Sequence, residues 1–134
     1  MLAFVKRLLL VTAVLVAVST TITAFAQTAT QYIYTQSHGE QTPNPMYCSG
    51  YIDFSGVNSS YSTNNLYVEL EEKQLLFNTT IVSVLLSPGA GSMGGTWYSI
   101  LTNYHLPDNN MPLLIRLVPQ GLGTGCYGAG KLVN

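Results

Sequence analysis

Hydrophobic residues are distributed in two different ways along this chain of 134 residues. Near the N-terminus they form one continuous run, residues 8–18. Further on they alternate with polar residues in short stretches separated by Gly, Pro, Asn and Ser. Alternation with a period of two between turn residues is typical of β-strands and differs from the period of an amphipathic helix. The pattern therefore predicts an all-β, mainly antiparallel domain that follows an N-terminal segment of a different kind.

The N-terminal segment has the three parts of a secretory signal peptide. Lys6 and Arg7 supply positive charge, residues 8–18 are apolar, and an Ala-Phe-Ala cleavage site ends at Ala26. The apolar run is shorter than the about 20 residues that a membrane-spanning helix needs. We therefore expect residues 1–26 to be a cleaved signal peptide, with an uncleaved N-terminal anchor as the alternative. The mature protein is then secreted or extracellular, in the periplasm or at the cell surface in a bacterium, and keeps no stable membrane anchor.

The region after the cleavage site contains residues that break regular structure. Gly39, Pro43 and Pro45 favour a loop. Residues 27–45 are therefore predicted to be an N-terminal arm with one short edge strand, residues 31–35. The arm is either a flexible lead-in or a strand that pairs elsewhere.

The β-rich domain is predicted to occupy residues 46–134. Short strands between Gly, Pro and Asn turns favour a small sandwich or a barrel-like domain. The predicted strands are residues 46–54, 66–70, 75–86, 96–103, 113–118 and 131–134.

Two of these strands are expected to form a hairpin. Leu66, Val68 and Leu70 alternate with polar residues and therefore share one face. A polar connector, residues 71–74, leads to the second strand, which is rich in β-branched residues. A short helix over residues 69–78 is the alternative. The hairpin is preferred because no helix cap precedes that segment.

The mature chain carries few charges and no basic patch. Three basic residues against six acidic ones give a net charge of −3 after residue 26. Binding to nucleic acid needs Lys and Arg side chains that neutralise phosphates, so a nucleic-acid partner is not expected.

The two cysteines, Cys48 and Cys126, both lie in the mature chain. In an oxidising compartment the expectation is one disulfide between them. In the chain-entropy model, a bridge that closes a loop of this size stabilises the fold by about 4.5 kcal/mol. The spacing of the two cysteines fits no zinc motif, so no metal site is expected.

Candidate catalytic groups are few and form no known motif. Ser99, His105 and Asp108 can be written as a triad, but no G-x-S-x-G surrounds any serine. The glutamates within residues 69–72 are interpreted as solvated turn charge, because nothing indicates the cleft that a glycosidase needs. No enzyme activity and no cofactor are therefore expected.

A loop rich in Gly, residues 87–95, is the candidate binding loop. Its glycines indicate turn geometry with positive φ, and a loop of this kind can be presented to a partner protein. The candidate binding residues in and beside it are Pro88, Gly89, Gly91, Met93 and Trp97.

Two sequons make Asn58 and Asn78 candidate acceptors of N-linked glycans. Asn58 falls in a predicted turn and is expected to be accessible. Asn78 lies in a predicted strand and needs to face outward.

Nine tyrosines, most of them in or beside predicted strands, suit both a sheet face and a surface that binds protein or glycan. We therefore expect a non-catalytic secreted module with an adhesive, structural or self-assembling role, acting through sheet faces or by strand exchange of the arm. The alternative is a secreted inhibitor or effector that binds a partner protein through residues 87–95. The expected partners are accordingly a protein or glycan surface, or a second copy of the chain.

Overall fold

The structure, a computed structural model, describes residues 26–134. The predicted signal peptide, and with it the alternative of an uncleaved anchor, lies outside the described residues except for Ala26. In the described part the chain forms only strands, turns and loops, so no helix there is long and apolar enough to cross a membrane. The strands are β1 (Thr28–Ile33), β2 (Glu40–Gln41), β3 (Met46–Cys48), β4 (Tyr51–Asn58), β5 (Leu66–Glu72), β6 (Thr79–Leu86), β7 (Tyr98–His105), β8 (Met111–Pro119) and β9 (Gly128–Val133).

These strands make two antiparallel sheets. One sheet has the strand order β1-β9-β4-β7, and the other has the order β2-β8-β5-β6. β3 also pairs with β8, at residues 111–113, on the edge of β8 that β2 occupies further along. The sheets stack face to face as an open sandwich, and the described residues form no closed barrel. The predicted all-β antiparallel class is confirmed.

Glycines let the two sheets approach each other closely. A Cβ atom at Gly56 would lie 3.0 Å from the Val68 side chain, and one at Gly130 would lie 2.6 Å from the Ile115 side chain. These contacts place β4 over β5 and β9 over β8.

The core fills the space between the sheets. Leu66, Val68 and Leu70 are all buried in it, so the predicted common face of β5 is confirmed. Phe54 and Leu132 belong to the same cluster and come from the other sheet. Burial of such side chains, at about 25 cal/mol per Å² of apolar surface, is the main force that holds the two sheets together.

The predicted strand 46–54 is divided in two. It is interrupted at Ser49 and Gly50, and Gly50 has a φ of 75°, a conformation that favours glycine. β3 pairs with β8, whereas β4 pairs with β7 and β9. The chain therefore crosses from one sheet to the other at this break.

The β5–β6 hairpin is confirmed, and the helix alternative is not found, but the turn lies later than predicted. β5 continues to Glu72 and β6 begins at Thr79. The connector is therefore residues 73–78 rather than 71–74. As a result, residues 75–77, which were predicted to start the second strand, lie in the turn.

Residues 27–45 pair with the rest of the domain, as in the alternative of a strand that pairs elsewhere, and are not a flexible lead-in. β1 pairs with β9 along its whole length, and Ile33 is buried in the core. Gln27 and Asn134 exchange two backbone hydrogen bonds of 2.8 and 2.9 Å. The predicted edge position of the first strand is confirmed, because β1 is the outermost strand of its sheet.

The predicted disulfide is wrong, because Cys48 and Cys126 are buried free thiols. Cys48 pairs with Met111 at the start of β8. Cys126 Sγ lies 3.4 Å from the carbonyl oxygens of Asn64 and Asn65, next to the other end of β8. Eight residue steps of a strand separate these places by about 26 Å, while a disulfide needs Cα atoms within about 7 Å of each other.

The loops that connect the strands lie at two opposite ends of the sandwich. The tip end carries Gln27, Asn134 and two loops, residues 73–78 and 106–110. The loop end carries residues 59–65, 87–97 and 120–127.

Candidate functional site

β6 is the edge strand of its sheet, and its outer edge has no partner strand among the described residues. Its sequence, TTIVSVLL, contains no charged residue, no Pro and no Gly. After a register shift between Leu70 and Glu71 of β5, the pairing is regular from Val82 to Leu86. Long, regular, uncharged edges are the ones able to pair with a further strand. β6 is therefore open to strand addition.

β7 lies on the same long side of the sandwich, at the edge of the other sheet. Its pairing with β4 contains two register shifts, and Asn103 has a φ of 49°. Such irregularities bend a strand and make it a poorer template than a regular edge. Between β6 and β7, the half-buried apolar side chains are Ile81, Val82, Val84, Ile100 and Leu101. We term this side, formed by β6 and β7, the open side.

The opposite side of the β6 sheet offers less to a further strand. β2 has two residues and β3 has three, and Pro43 and Pro45 lie between them. Short edge strands and prolines protect a sheet edge from pairing. In that sheet, the edge that can accept a strand is therefore β6.

The glutamates interpreted as solvated turn charge lie instead in a polar cluster on the outer face of β5. Arg116 Nη1 lies 3.7 Å from Glu69 Oε2 and 3.4 Å from Glu71 Oε1. Asn78 donates a hydrogen bond of 2.9 Å to Glu71, and Ser83 donates one of 2.9 Å to Glu69. Glu71 is buried. That interpretation is therefore wrong for Glu69 and Glu71, which tie the β5–β6 hairpin to β8.

The candidate binding loop lines one side of a cleft at the loop end. Gly91 and Met93 lie there with Tyr61 and Tyr127 around a cavity of about 380 Å³. The rest of the lining consists of Ser59, Ser60, Ser92 and Gly94. Because no side chain of this lining is charged, the cleft fits a neutral polar group.

The other predicted loop residues lie outside the cleft. Gly89 donates a backbone hydrogen bond of 2.8 Å to the Asn58 carbonyl, which fixes the start of the loop against the end of β4. Trp97 packs under Lys131, whose Nζ lies 4.5 Å from the ring centroid. Pro88 is exposed. Of the five predicted residues, two line the cleft, Gly91 and Met93.

The amide nitrogen of each sequon asparagine donates hydrogen bonds within the fold. Asn58 is fully buried, and its Nδ2 donates hydrogen bonds of 2.9 Å to the Asn64 carbonyl and 2.8 Å to the Leu86 carbonyl. The expectation that Asn58 is accessible is therefore wrong. Asn78 is half-buried and uses its Nδ2 to bind Glu71. A glycan on Asn58 would displace one of its two bonds, because a glycosylated Nδ2 keeps a single hydrogen, whereas at Asn78 that hydrogen can still bind Glu71.

The residues written as a triad do not come together. Ser99 Oγ lies 2.7 Å from Thr102 Oγ1, and the His105 ring packs edge-on against Tyr51 with 4.8 Å between ring centroids. Asp108 is exposed in the β7–β8 loop. Within residues 26–134, no group of three or more His, Cys, Asp or Glu side chains is placed to hold a metal ion.

Sequence reasoning missed a run of three consecutive exposed apolar residues in the described chain. At the hairpin turn, Leu75, Leu76 and Phe77 are 98%, 87% and 69% exposed. The available signal was length, because a strand over residues 75–86 would have twelve residues, about twice the usual number. We term residues 75–77 the apolar tip.

Comparison of the chain with known protein families, with curated proteins and with solved structures gives no match. The open side, the cleft and the apolar tip are therefore the features from which a function has to be argued.

Proposed function

We propose that this chain is a non-catalytic extracellular module that self-assembles by pairing β6 with β6 of a second copy. The observation that supports the proposal is the regular, uncharged and unpartnered edge of β6. Its main-chain groups supply the hydrogen bonds of an added strand, and its apolar side chains supply the contact area.

A second copy suits this edge because two identical antiparallel strands are self-complementary about a two-fold axis. The pairing joins the sheet that contains β6 in one copy to the same sheet of the other copy. It introduces no like-charge contact, since β6 carries no charge. It also covers the half-buried side chains of Ile81, Val82 and Val84. Assembly of this kind uses edge addition rather than exchange of the arm, because β1 already pairs with β9 in its own chain.

The test is the mass of the protein in solution, measured by sedimentation over a range of concentrations, for the parent and for Ser83→Lys. Ser83 is exposed on β6, and a lysine there is compatible with the fold because Glu69 lies beside it. We expect a dimer in the parent and a dissociation constant raised at least about tenfold in the variant, which corresponds to about 1.4 kcal/mol. The cause is repulsion between two lysines across the two-fold axis.

The matched control is Thr102→Lys, which places the same charge on the exposed edge of β7. It should leave the dimer intact. A parent that stays monomeric at every concentration, or a Ser83→Lys variant that dimerises as tightly as the parent, would contradict pairing through β6.

A second candidate function is binding of a partner protein through the loop end. The observation that favours it is the uncharged cleft formed by Gly91, Met93, Tyr61 and Tyr127. Tyrosines suit such a surface because their rings give contact area and their hydroxyls give hydrogen bonds. A parent that is monomeric in the sedimentation experiment would favour this function over assembly.

A further inference from the structure

We propose that the apolar tip, residues 75–77, inserts into the interfacial layer of a lipid bilayer. The inference rests on the tip end of the sandwich and is independent of the pairing proposed for β6. It assigns the protein a reversible contact with a membrane surface.

The tip has no role in the core. Leu75, Leu76 and Phe77 are consecutive and exposed on a six-residue connector between two strands. Apolar side chains that are this exposed and contiguous mark a surface that is covered by something else in use. Consecutive residues point in different directions around a turn, so a fluid layer surrounds all three more readily than one rigid pocket does.

The course of the chain favours a membrane as the occupant. Gln27, which is bonded to Asn134, enters the sandwich at the tip end. The apolar run of residues 8–18, which the sequence predicts to engage a membrane during secretion, is separated from Gln27 by residues 19–26. The domain is therefore joined to that run at the end that carries the apolar tip, until the signal peptide is cleaved or permanently if the run is an uncleaved anchor.

Tyrosines surround the tip end. Tyr47, Tyr51 and Tyr104 are all exposed there, on the strands next to the β7–β8 and β3–β4 loops. Tyrosine rings are enriched at the level of lipid headgroups, where one end of the ring is apolar and the other is wet. Their position agrees with a tip that enters the bilayer surface and a domain that rests on it.

Charge and backbone set the mode of contact. Glu72 and Lys73 precede the tip with opposite charges, and no basic cluster accompanies them, so the contact does not depend on anionic lipid. Within the described residues, the backbone groups of Leu75 to Phe77 have no hydrogen bonds outside the strand ladders. Unsatisfied backbone groups are costly in hydrocarbon, so insertion stays shallow, at the boundary between the headgroups and the acyl chains.

The first experiment measures binding to phosphatidylcholine vesicles by flotation. We expect the parent to float with the vesicles and the triple variant Leu75→Ser, Leu76→Ser, Phe77→Ser to lose at least about tenfold in partitioning. The matched control is Leu122→Ser, since Leu122 is 100% exposed at the loop end. It should float like the parent.

The second experiment locates the contact even in a chain that retains its N-terminal apolar run. Tryptophan replaces Leu76 in one variant and Leu122 in another, each combined with Trp97→Phe. Lipids with brominated acyl chains should quench Trp at position 76 and leave Trp at position 122 unaffected. Equal quenching at both positions, or none at position 76, would overturn the proposal. So would binding that requires anionic vesicles and disappears in salt, or a triple variant that changes only the mass of the protein in solution.

Discussion

Two regions at opposite ends of the sandwich, residues 58–64 and the apolar tip, use their side chains in opposite ways. At the loop end, Asn58 and Asn64 donate hydrogen bonds from their amides to backbone carbonyls of neighbouring segments. At the tip end, residues 75–77 leave three large apolar side chains in water. These asparagines of the loop end therefore turn polar groups inward, whereas the apolar tip turns apolar groups outward.

The difference separates residues that the fold requires from residues that it does not. Irregular loops have no strand ladder, so their buried carbonyls need side-chain donors. Ser62 acts in the same way, since its hydroxyl bonds both the amide and the carbonyl of Tyr127. The apolar tip satisfies no group of the fold, which leaves its side chains available for contact outside the molecule.

Of the changes that test this comparison, Asn58→Ala has the largest expected effect on the free energy of unfolding. It removes both hydrogen bonds from Nδ2 and leaves the carbonyls of Asn64 and Leu86 without that donor. Each unsatisfied buried group costs about 1–3 kcal/mol. We expect the free energy of unfolding to fall by about 2–4 kcal/mol in total. Denaturant titration followed by circular dichroism measures it.

The control for this variant is Asn44→Ala. Asn44 is exposed between Pro43 and Pro45, and its side chain has no hydrogen bond within the described residues. It should change the unfolding free energy by less than about 0.5 kcal/mol. If Asn58→Ala proved as mild as this control, the loop end would not depend on its buried amide.

The next largest expected effect is the contribution of the buried Cys48 thiol to stability, which depends on pH. Burial raises the pKa of the Cys48 thiol from 9.0 to about 11, and burial also raises the pKa of the Cys126 thiol. Below pH 9 the Cys48 thiol is protonated in both folded and unfolded chains. Above it the unfolded chain loses its proton first, so the contribution to stability falls between about pH 9 and about pH 11. Comparing the pH dependence of unfolding for the parent and for Cys48→Ala isolates this contribution, at most about 2–3 kcal/mol.

The same measurement tests the absence of a disulfide. Because the two thiols are free, a reducing agent should leave the parent's unfolding free energy unchanged. A loss near the about 4.5 kcal/mol expected for a bridge across this loop would contradict the structure. Equal pH profiles for the parent and Cys48→Ala would contradict the burial of the thiol.

Local sequence patterns predicted those features of the strands that depend on neighbouring residues alone. The alternation of Leu66, Val68 and Leu70 gave the buried face of β5 correctly, because side-chain direction follows directly from the period of a strand. The prediction of one strand over residues 46–54 was wrong. Gly50 permits a break there, but the break is needed only because β3 and β4 belong to different sheets, which the local pattern does not show. The pairing of Cys48 with Cys126 was wrong for a related reason, since distance in space depends on strand order.

The candidate sites depend even more on strand order. The sequence of β6 is uncharged in any arrangement, but its exposure follows from its place at the edge of the sheet. Gly91 and Met93 were predicted, whereas Tyr61 and Tyr127 come to the same cleft from distant parts of the chain. The apolar tip was hidden because the extent of β5, through Glu72, is set by pairing with β8 and not by its own composition.

The smallest expected effect on stability belongs to the apolar tip. Replacing Leu75, Leu76 and Phe77 by Ser should change the free energy of unfolding by less than about 0.5 kcal/mol per position, because side chains in water have no packing to lose. Denaturant titration beside Asn58→Ala measures the contrast between the two ends directly. A combined loss well above about 1.5 kcal/mol, three times that amount, would show that the tip packs against the fold. Unchanged stability would mean instead that any loss of vesicle binding in the triple variant comes from the surface that the tip presents.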